Sequence, residues 1–421
     1  MTFEKALEYL YSRLKFGSVP GLERIRALCA LLGNPQDKLR YIHVAGTNGK
    51  GSVCSMISNM LICAGYKTGL FISPYVTHFT ERIQINSRMI TESEFADLMA
   101  EIKPLVEQLD SQGVTPTEFE VLTAAAFLYY YKNGCDIVVL EVGLGGLCDS
   151  TNIINAPDVS VITSVSYDHT NILGDTIEEI AAHKCGIIKK GSAVVSYPQE
   201  FEQTSAIINK TAKEYSCPIY RCDKKEITNA TVGEYGCEFT YKGVSLKTSL
   251  IGEHQIYNAA TAFEAAQAMR FKGIMLSDDD IYNGILKAGM PARLQVVSRN
   301  PLVVIDGAHN PDGIAALVKC LDTVFASYDV VAVMGMMKDK DVEKSVSLIA
   351  SYFKRATAVT VDNPRSMRSG ELAEVIKKYC ADVTVCDNPI QAFNKAKASL
   401  TDGEMLLICG SLYLASEIEN G

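Results

Sequence analysis

The sequence lacks several things, and each absence removes a class of function. No stretch of the chain clusters Lys and Arg densely enough to track a phosphate backbone, and 40 basic residues stand against 49 acidic ones for a net charge of −9. That argues against nucleic acid as a partner and requires any anionic ligand to be held by a local positive site. Thirteen cysteines, an odd count, show no CxxC and no paired spacing. A disulfide framework or a structural zinc site is therefore not expected, and a reducing cytoplasm fits best. The first eight residues, Met1 to Glu8, carry two acids and no signal-like apolar core. The longest apolar run, Leu122 to Tyr131, is about half of the ~20 residues a membrane helix needs. No low-complexity tract signals disorder.

What is present is ordinary globular material. Hydrophobic residues make up 48% of the 421 and charged residues 21%, so the whole chain is expected to fold. Its length is ~2.8 times a 150-residue domain, which suggests two or three domains. From Pro301 onward, β-rich runs at Leu302–Asp306, Val330–Met334, Ala356–Val361, Val383–Cys386 and Met405–Cys409 each precede a helical pattern. Such alternation predicts a parallel, helix-covered sheet of the Rossmann-like kind. Earlier strands are expected at Tyr41–Ala45, Thr68–Ile72, Ile137–Glu141, Val159–Thr163 and Ala193–Val195. Helix starts are signalled by Thr91-Glu-Ser-Glu94 and Thr176-Ile-Glu-Glu179. A short strand-like stretch between Cys217 and Leu250 reads as a small β-rich insertion. The pattern is α/β, with domains expected at 1–295 and 296–421.

Five constellations carry chemistry. Gly46-Thr-Asn-Gly-Lys-Gly-Ser52 sits where a strand becomes a helix. There glycines admit backbone N–H groups to phosphate oxygens, and Lys50 and the helix dipole add positive potential. The bland alternative is a Gly-rich turn with a solvated lysine. Glu141 ends an apolar strand and is a candidate Mg²⁺ ligand, or else a cap for the next segment. His169, in a polar loop after a strand, is one of only six histidines and could be a ligand or structural. Lys184 by itself reads as a solvated helix charge. Asn258 lies within an Ala-rich helix, which Asn disfavours, so it contacts a ligand or faces water. Asn310-Pro311 reads as N-cap and first helical residue, which puts Asp306 and His309 in a strand-to-helix turn where open α/β sheets bind ligands. Arg293, at the domain junction, could reach a nucleotide or form an ordinary ion pair.

Read in order, the motifs resemble the folylpolyglutamate synthase/dihydrofolate synthase family of the Mur ligase superfamily. The matching pieces are GTNGKGS (46–52), SPYVTHFTERIQIN (73–86), TEFEVLT (117–123), EVGLGG (141–146), the D-x-TN of 149–152, DHTNILG (168–174), KCGIIK (184–189), GEHQIYNAATA (252–262), PARLQ (291–295), DGAHNP (306–311) and GSLYL (410–414). The resemblance implies an N-terminal P-loop, Mur-ligase-like ATP-binding domain and a smaller C-terminal Rossmann-like domain. It implies an ATP-dependent amide ligase of folate biosynthesis and one-carbon metabolism, adding L-glutamate to dihydropteroate, to reduced folates, or to both, through an acyl phosphate.

By matching position, Thr47, Asn48, Gly49, Lys50, Gly51 and Ser52 would hold ATP, with Asn258, Arg293 and Asp306 completing the nucleotide site. Ser73, Glu141 and His169 would organise Mg²⁺. Lys184 would be carried as a carbamate and serve a second metal. Lys50, Lys184 and His309 would be the catalytic set, while Thr117, Glu118, Phe119 and Glu120, with Cys148, Asp149 and Ser150, would contact the pterin-bearing substrate. A monomer without membrane contact is expected.

Two positions depart from the family pattern: Leu147 stands where Arg is common, and His183 where Glu commonly precedes the modified lysine. The first bears on substrate choice and keeps open a nucleotide-binding regulator without ligase activity. A Mur-type ligase of cell-wall precursors is the other alternative, though that branch carries Thr-Thr after the P-loop Lys, and here Gly51-Ser52 follows.

Overall fold

The computed structural model describes residues 1–17 and 19–420. The chain packs as two units, one of Met1–Tyr75, Phe79–Lys225 and Tyr257–Ala288, the other of Val76–His78, Glu226–Ile256 and Gly289–Gly421. The single cut expected after residue 295 thus differs in three places, the first being the boundary itself, which falls between Ala288 and Gly289. The β-rich insertion and a tripeptide at 76–78 group with the C-terminal unit, where Ile251 joins one apolar core and Val76 joins the other with Ile305 and Leu412.

In the first unit, strands β1 (Tyr41–Ala45), β2 (Thr68–Phe71), β3 (Ile83–Ile85), β4 (Arg88–Met89), β5 (Ile137–Glu141), β6 (Val159–Ile162), β7 (Ala193–Ser196) and β8 (Ile219–Arg221) form one sheet. Its order is β4-β3-β2-β5-β1-β6-β7-β8, parallel from β2 to β8 with an antiparallel hairpin at the β3/β4 edge. Strand β1 is buried at every position, as a parallel strand covered on both faces should be. Its neighbours β5 and β6 leave their carboxyl ends beside its own, with Val44 opposite Glu141 and Ala45 opposite Ile162. The short strands β3 and β4 are absent from the sequence reading, and β8 falls in the stretch read as the β-rich insertion but joins this sheet instead; at two or three residues each they are too brief to show a period.

The second unit holds an antiparallel three-stranded sheet, β9 (Ile227–Gly233), β10 (Gly236–Tyr241) and β11 (Val244–Thr248), where the insertion was expected. Its main sheet comprises β12 (Gln295–Arg299), β13 (Leu302–Ile305), β14 (Asp329–Met334), β15 (Phe353–Val359), β16 (Val383–Cys386) and β17 (Glu404–Cys409), in the order β12-β13-β17-β14-β15-β16. All pairs are parallel except β12 with β13. The apolar strands feed two cores by simple alternation. Leu302, Val304, Val330, Ala332, Met405 and Leu407 enter one, while Val303, Ile305, Val331, Val333, Leu406 and Ile408 enter the other. That is why these runs look continuously hydrophobic.

At the start of β17 the buried Glu404 carboxylate accepts from Arg355 Nη1 and Nη2 at 2.6 and 2.9 Å, from Thr401 N at 2.9 Å and from Lys354 Nζ at 3.1 Å. The Arg355 guanidinium holds its acidity well below the usual carboxylate range. A depressed carboxylate contributes stability above its unfolded value, 4.5, and loses it as pH falls toward the folded value. Glu404→Gln should therefore cost about 1 kcal/mol at pH 7, a modest figure because Lys354 and Arg355 reach it from solvent. Urea unfolding across pH should show wild type and variant converging below about pH 4.5; a constant gap would contradict this account.

All thirteen cysteines are free, and among the described residues no helix is long and apolar enough to cross a membrane.

Candidate active site

In the first unit the carboxyl ends of β1, β2, β5 and β6 point to one edge, and each delivers a loop named in the sequence reading. After β1 comes Gly46–Gly49, then helix Lys50–Cys63. Gly49 is left-handed, with φ 84°, and a Cβ there would lie 2.5 Å from Asn258 Oδ1; one on Gly46 would lie 1.8 Å from Thr163 Oγ1. Both glycines are required by close approach, and the Asn258 amide packs on the loop from a site 3% exposed. Asn258 therefore does not sit on a wet helix face.

Hydrogen bonds from the segment after β6 fix the loop. Thr47 N donates to Ser164 O at 2.7 Å, and Thr163 Oγ1 and Ser164 Oγ donate to Asn48 O at 2.8 and 3.2 Å. Thr47 Oγ1 donates to Ser166 O and accepts from Ser166 N, each at 3.1 Å. With its carbonyls tied down, the loop leads into a helix whose first N–H groups have no intrahelical partner, at the positive end of the dipole. Lys50 Nζ folds back onto Gly46 O and Thr47 O at 3.2 and 3.1 Å.

A second lysine converges on the same carbonyl. Lys184, on helix Ile177–Cys185, is 3% exposed and donates from Nζ to Gly46 O at 2.8 Å. Burial, and next the like charge of Lys50, push its ammonium down to about 7, with Asp168 opposing. It is not a solvated helix charge.

Glu141, at the end of β5 and 4% exposed, accepts from Ser73 N at 3.1 Å. Ser73 Oγ is buried and has no hydrogen-bond partner. An orphaned hydroxyl beside a buried carboxylate fits Mg²⁺, which takes one or two protein oxygens and completes its shell with phosphate and water. Among the described residues no three His, Cys, Asp or Glu side chains form a ready-made metal cage. His169 is at the N-cap of a short helix, Thr170–Leu173, with φ 52°. Its side chain is 38% exposed, with Nε2 3.9 Å from Asp168 Oδ1.

The two segments expected at the acceptor prove to be strongly self-engaged. Thr117 caps helix Glu118–Lys132, and Glu120 closes the capping box by accepting from Thr117 N at 2.7 Å. Burial raises the Glu118 carboxyl, and Phe119 packs against Gly143. Asp149 accepts from Leu144 N at 2.8 Å and from Thr151 N at 3.0 Å, and it too is raised by burial. Ser150 is buried, Cys148 is exposed, and Leu147 is 50% exposed.

In the second unit Asp306 follows β13. Its carboxylate, raised by burial, accepts from Leu294 N and Ala308 N, both at 2.8 Å. Ala292 and Leu294, on either side of Arg293, have φ of 52° and 45°, a backbone that non-glycine residues adopt at a cost. Asp306 therefore holds the strained turn that presents Arg293. Asn310 caps helix Pro311–Thr323 as expected, and His309 Nδ1 donates to Gly307 O at 2.9 Å. The sequence did not single out Thr163, which braces the Gly46–Gly49 loop, or Asp168, whose charge acts on Lys184. It also missed His254, whose imidazole burial and the Arg293 charge push down to about 4. Asp168 and His254 lay within the motifs DHTNILG and GEHQIYNAATA, whereas Thr163 lay at the end of an expected strand.

Comparison with known proteins agrees along the whole chain. Residues 44–266 match the Mur ligase middle domain, and residues 292–412 match the Mur ligase glutamate ligase domain. A dihydrofolate synthase/folylpolyglutamate synthase of Bacillus subtilis is 38% identical over 428 residues, covering 99% of this chain and 98% of the relative. Mycobacterium tuberculosis folylpolyglutamate synthase, solved with ADP and AMPPCP, superposes with a TM-score of 0.90 at 30% identity, covering 99% and 98% of the two chains. Escherichia coli FolC, solved with DHPP and ADP, gives 0.87 at 31% identity over 100% and 97%.

Proposed function

The chain belongs to the dihydrofolate synthase/folylpolyglutamate synthase family of Mur ligases, and on that premise we propose how its residues divide the reaction. The protein is an ATP-dependent ligase that joins glutamate to its acceptor in folate metabolism. The acceptor is dihydropteroate, a reduced folate, or both. An acceptor carboxylate oxygen attacks the γ-phosphorus and ADP leaves; the glutamate amine then attacks the acyl carbon, phosphate leaves, and the nitrogen gives up a proton.

Both steps move negative charge, so positioning and neutralisation dominate. Gly46–Ser52 cradles the triphosphate and Lys50 exchanges its two backbone carbonyls for phosphate oxygens. Asn258 braces the loop through Gly49. Ser73, Glu141 and His169 would hold Mg²⁺, which when bound would offset charge on the phosphates. Lys184 takes up CO₂ to become an anionic carbamate. In the second unit, Arg293 and Asp306 serve the nucleotide, and His309, its ring fixed by Gly307 O, serves the reacting groups. Thr117–Glu120 and Cys148–Ser150 face the acceptor.

The observation carrying this reading is the convergence of Lys50 and Lys184 on the Gly46 carbonyl, in a strand-to-helix loop that shares its sheet edge with the Ser73–Glu141 pair. The test is purified protein with Mg-ATP, L-glutamate and either dihydropteroate or tetrahydrofolate, following ADP and product mass. One added glutamyl residue on at least one acceptor is expected; ADP without product, or neither, overturns the reading.

A further inference from the structure

Strand β1 contains one polar side chain in an otherwise apolar run, Tyr41-Ile-His43-Val-Ala45, and His43 is completely buried. Its Nε2 lies 2.9 Å from Thr151 Oγ1, 108 residues away in sequence, and Thr151 is also completely buried. Thr151 Oγ1 in turn donates to Asp149 Oδ1 at 2.5 Å. A hydroxyl has one proton; spending it on Asp149 obliges Thr151 to accept from His43 Nε2–H. The other ring nitrogen, Nδ1, has no partner and carries only a lone pair. The chain of donors therefore runs one way, from strand to histidine to threonine to carboxylate. It ends in the turn that Asp149 closes by accepting from Leu144 N and Thr151 N.

Packing alone does not require a histidine at this place. An apolar side chain would suit a fully covered strand and would leave no orphaned nitrogen. What the imidazole supplies is a fixed donor that rises from the central strand and sets the rotamer of Thr151, hence the position of Asp149. Without it the Thr151 hydroxyl keeps its bond to Asp149 but loses the donor that ties it to β1, and the Cys148–Ser150 tip loses that reference to the sheet. We propose that His43 and Thr151 are positioning residues for the acceptor: they hold the 144–150 turn in register with β1 and tune acceptor affinity without touching ATP. This rests on the reading of Cys148–Ser150 as acceptor-facing.

Steady-state kinetics test it, with the acceptor and ATP varied separately. Thr151→Val keeps shape and removes the hydroxyl, and His43→Leu removes the donor; each should raise the acceptor KM by about tenfold. KM for ATP should stay within about twofold, because the phosphate loop is built by other residues. Thr151→Ser, which keeps the hydroxyl, and His43→Gln, whose amide can donate from the same side, should return the acceptor KM to within about threefold of wild type. A merely structural role would lower the melting temperature and shift both KM values together, with no rescue by serine or glutamine. That outcome, or an unchanged acceptor KM in Thr151→Val, overturns the proposal. Failure of the wild type to glutamylate either acceptor would instead sink the underlying reading, so the two failures are distinguishable. If His43→Leu does not fold, the valine and serine pair decides alone.

Discussion

Replacing Lys50 with alanine is expected to cut kcat by at least about a thousandfold while leaving the protein folded. Among the described residues the side chain donates to Gly46 O and Thr47 O, at 3.2 and 3.1 Å, and Gly46 O keeps Lys184 as a donor. The loop is otherwise held by Thr163, Ser164 and Ser166, so its shape survives the loss of one amine. Charge neutralisation at the phosphates does not survive it: in a protein of net charge −9 binding an anion, the overall field opposes the ligand and local cations must overcome it. ADP release under saturating Mg-ATP measures the effect, with circular dichroism confirming the fold. Turnover within about tenfold of wild type would place the phosphates elsewhere.

The second large effect concerns Lys184. At about 7 its acidity leaves much of the amine neutral near physiological pH, and only the neutral amine adds CO₂, forming an N–C bond and releasing a proton. The amine is unprotonated above that value and protonated below it, so carbamylation should increase as pH rises through 7. Enzyme prepared free of CO₂ should lose most activity and regain it on addition of bicarbonate, more completely at about pH 8 than at about pH 6.5. Lys184→Met should lose at least about a hundredfold in kcat and show no bicarbonate response. Crystals grown with bicarbonate should show density for an added carboxyl group at Nζ. Full activity in CO₂-free buffer, with no such density, would return Lys184 to a plain hydrogen-bond donor that braces Gly46. Carbamylation would also reverse the sign of its interaction with Lys50, from repulsion to attraction, which a neutral substitute cannot imitate.

Much of the site was legible because its signals are local. Gly46 to Ser52 announces a strand-to-helix turn through residues that sit next to one another. The caps at Thr91, Thr176 and Asn310 follow from short-range turn chemistry, and all three are found where expected. Strand β1 and strand β5 emerge with the bounds read from the sequence, since buried parallel strands advertise themselves as apolar runs. Edge strand β12, antiparallel to β13, gave no such signal, with exposed Arg299 and half-exposed Val297 along it. Short edge strands mix polar and apolar residues because one side faces water.

Lys184, His43 and Asp306 could not be understood in the same way. Their types are visible, but their meaning comes from partners far along the chain: Lys184 meets Gly46 across 138 residues. A lysine in a helix reads as solvated, and nothing local to His43 points to Thr151, 108 residues away. Asp306 shows the same limit, since its support of the strained turn around Arg293 depends on a left-handed backbone that no residue type there announces.

The sequence by itself determined the class of fold, the place of the Gly-rich strand-to-helix loop and the overall acidity that forces anion binding onto a few local cations. Only the tertiary structure decided which of those cations burial pushes down to about 7, which carboxylates are already committed to backbone N–H groups, and that the Ser73 hydroxyl is buried without a partner. Protonation and hydrogen-bond demand depend on burial and on neighbours within a few ångströms, and those neighbours are set by the packing of the sheet.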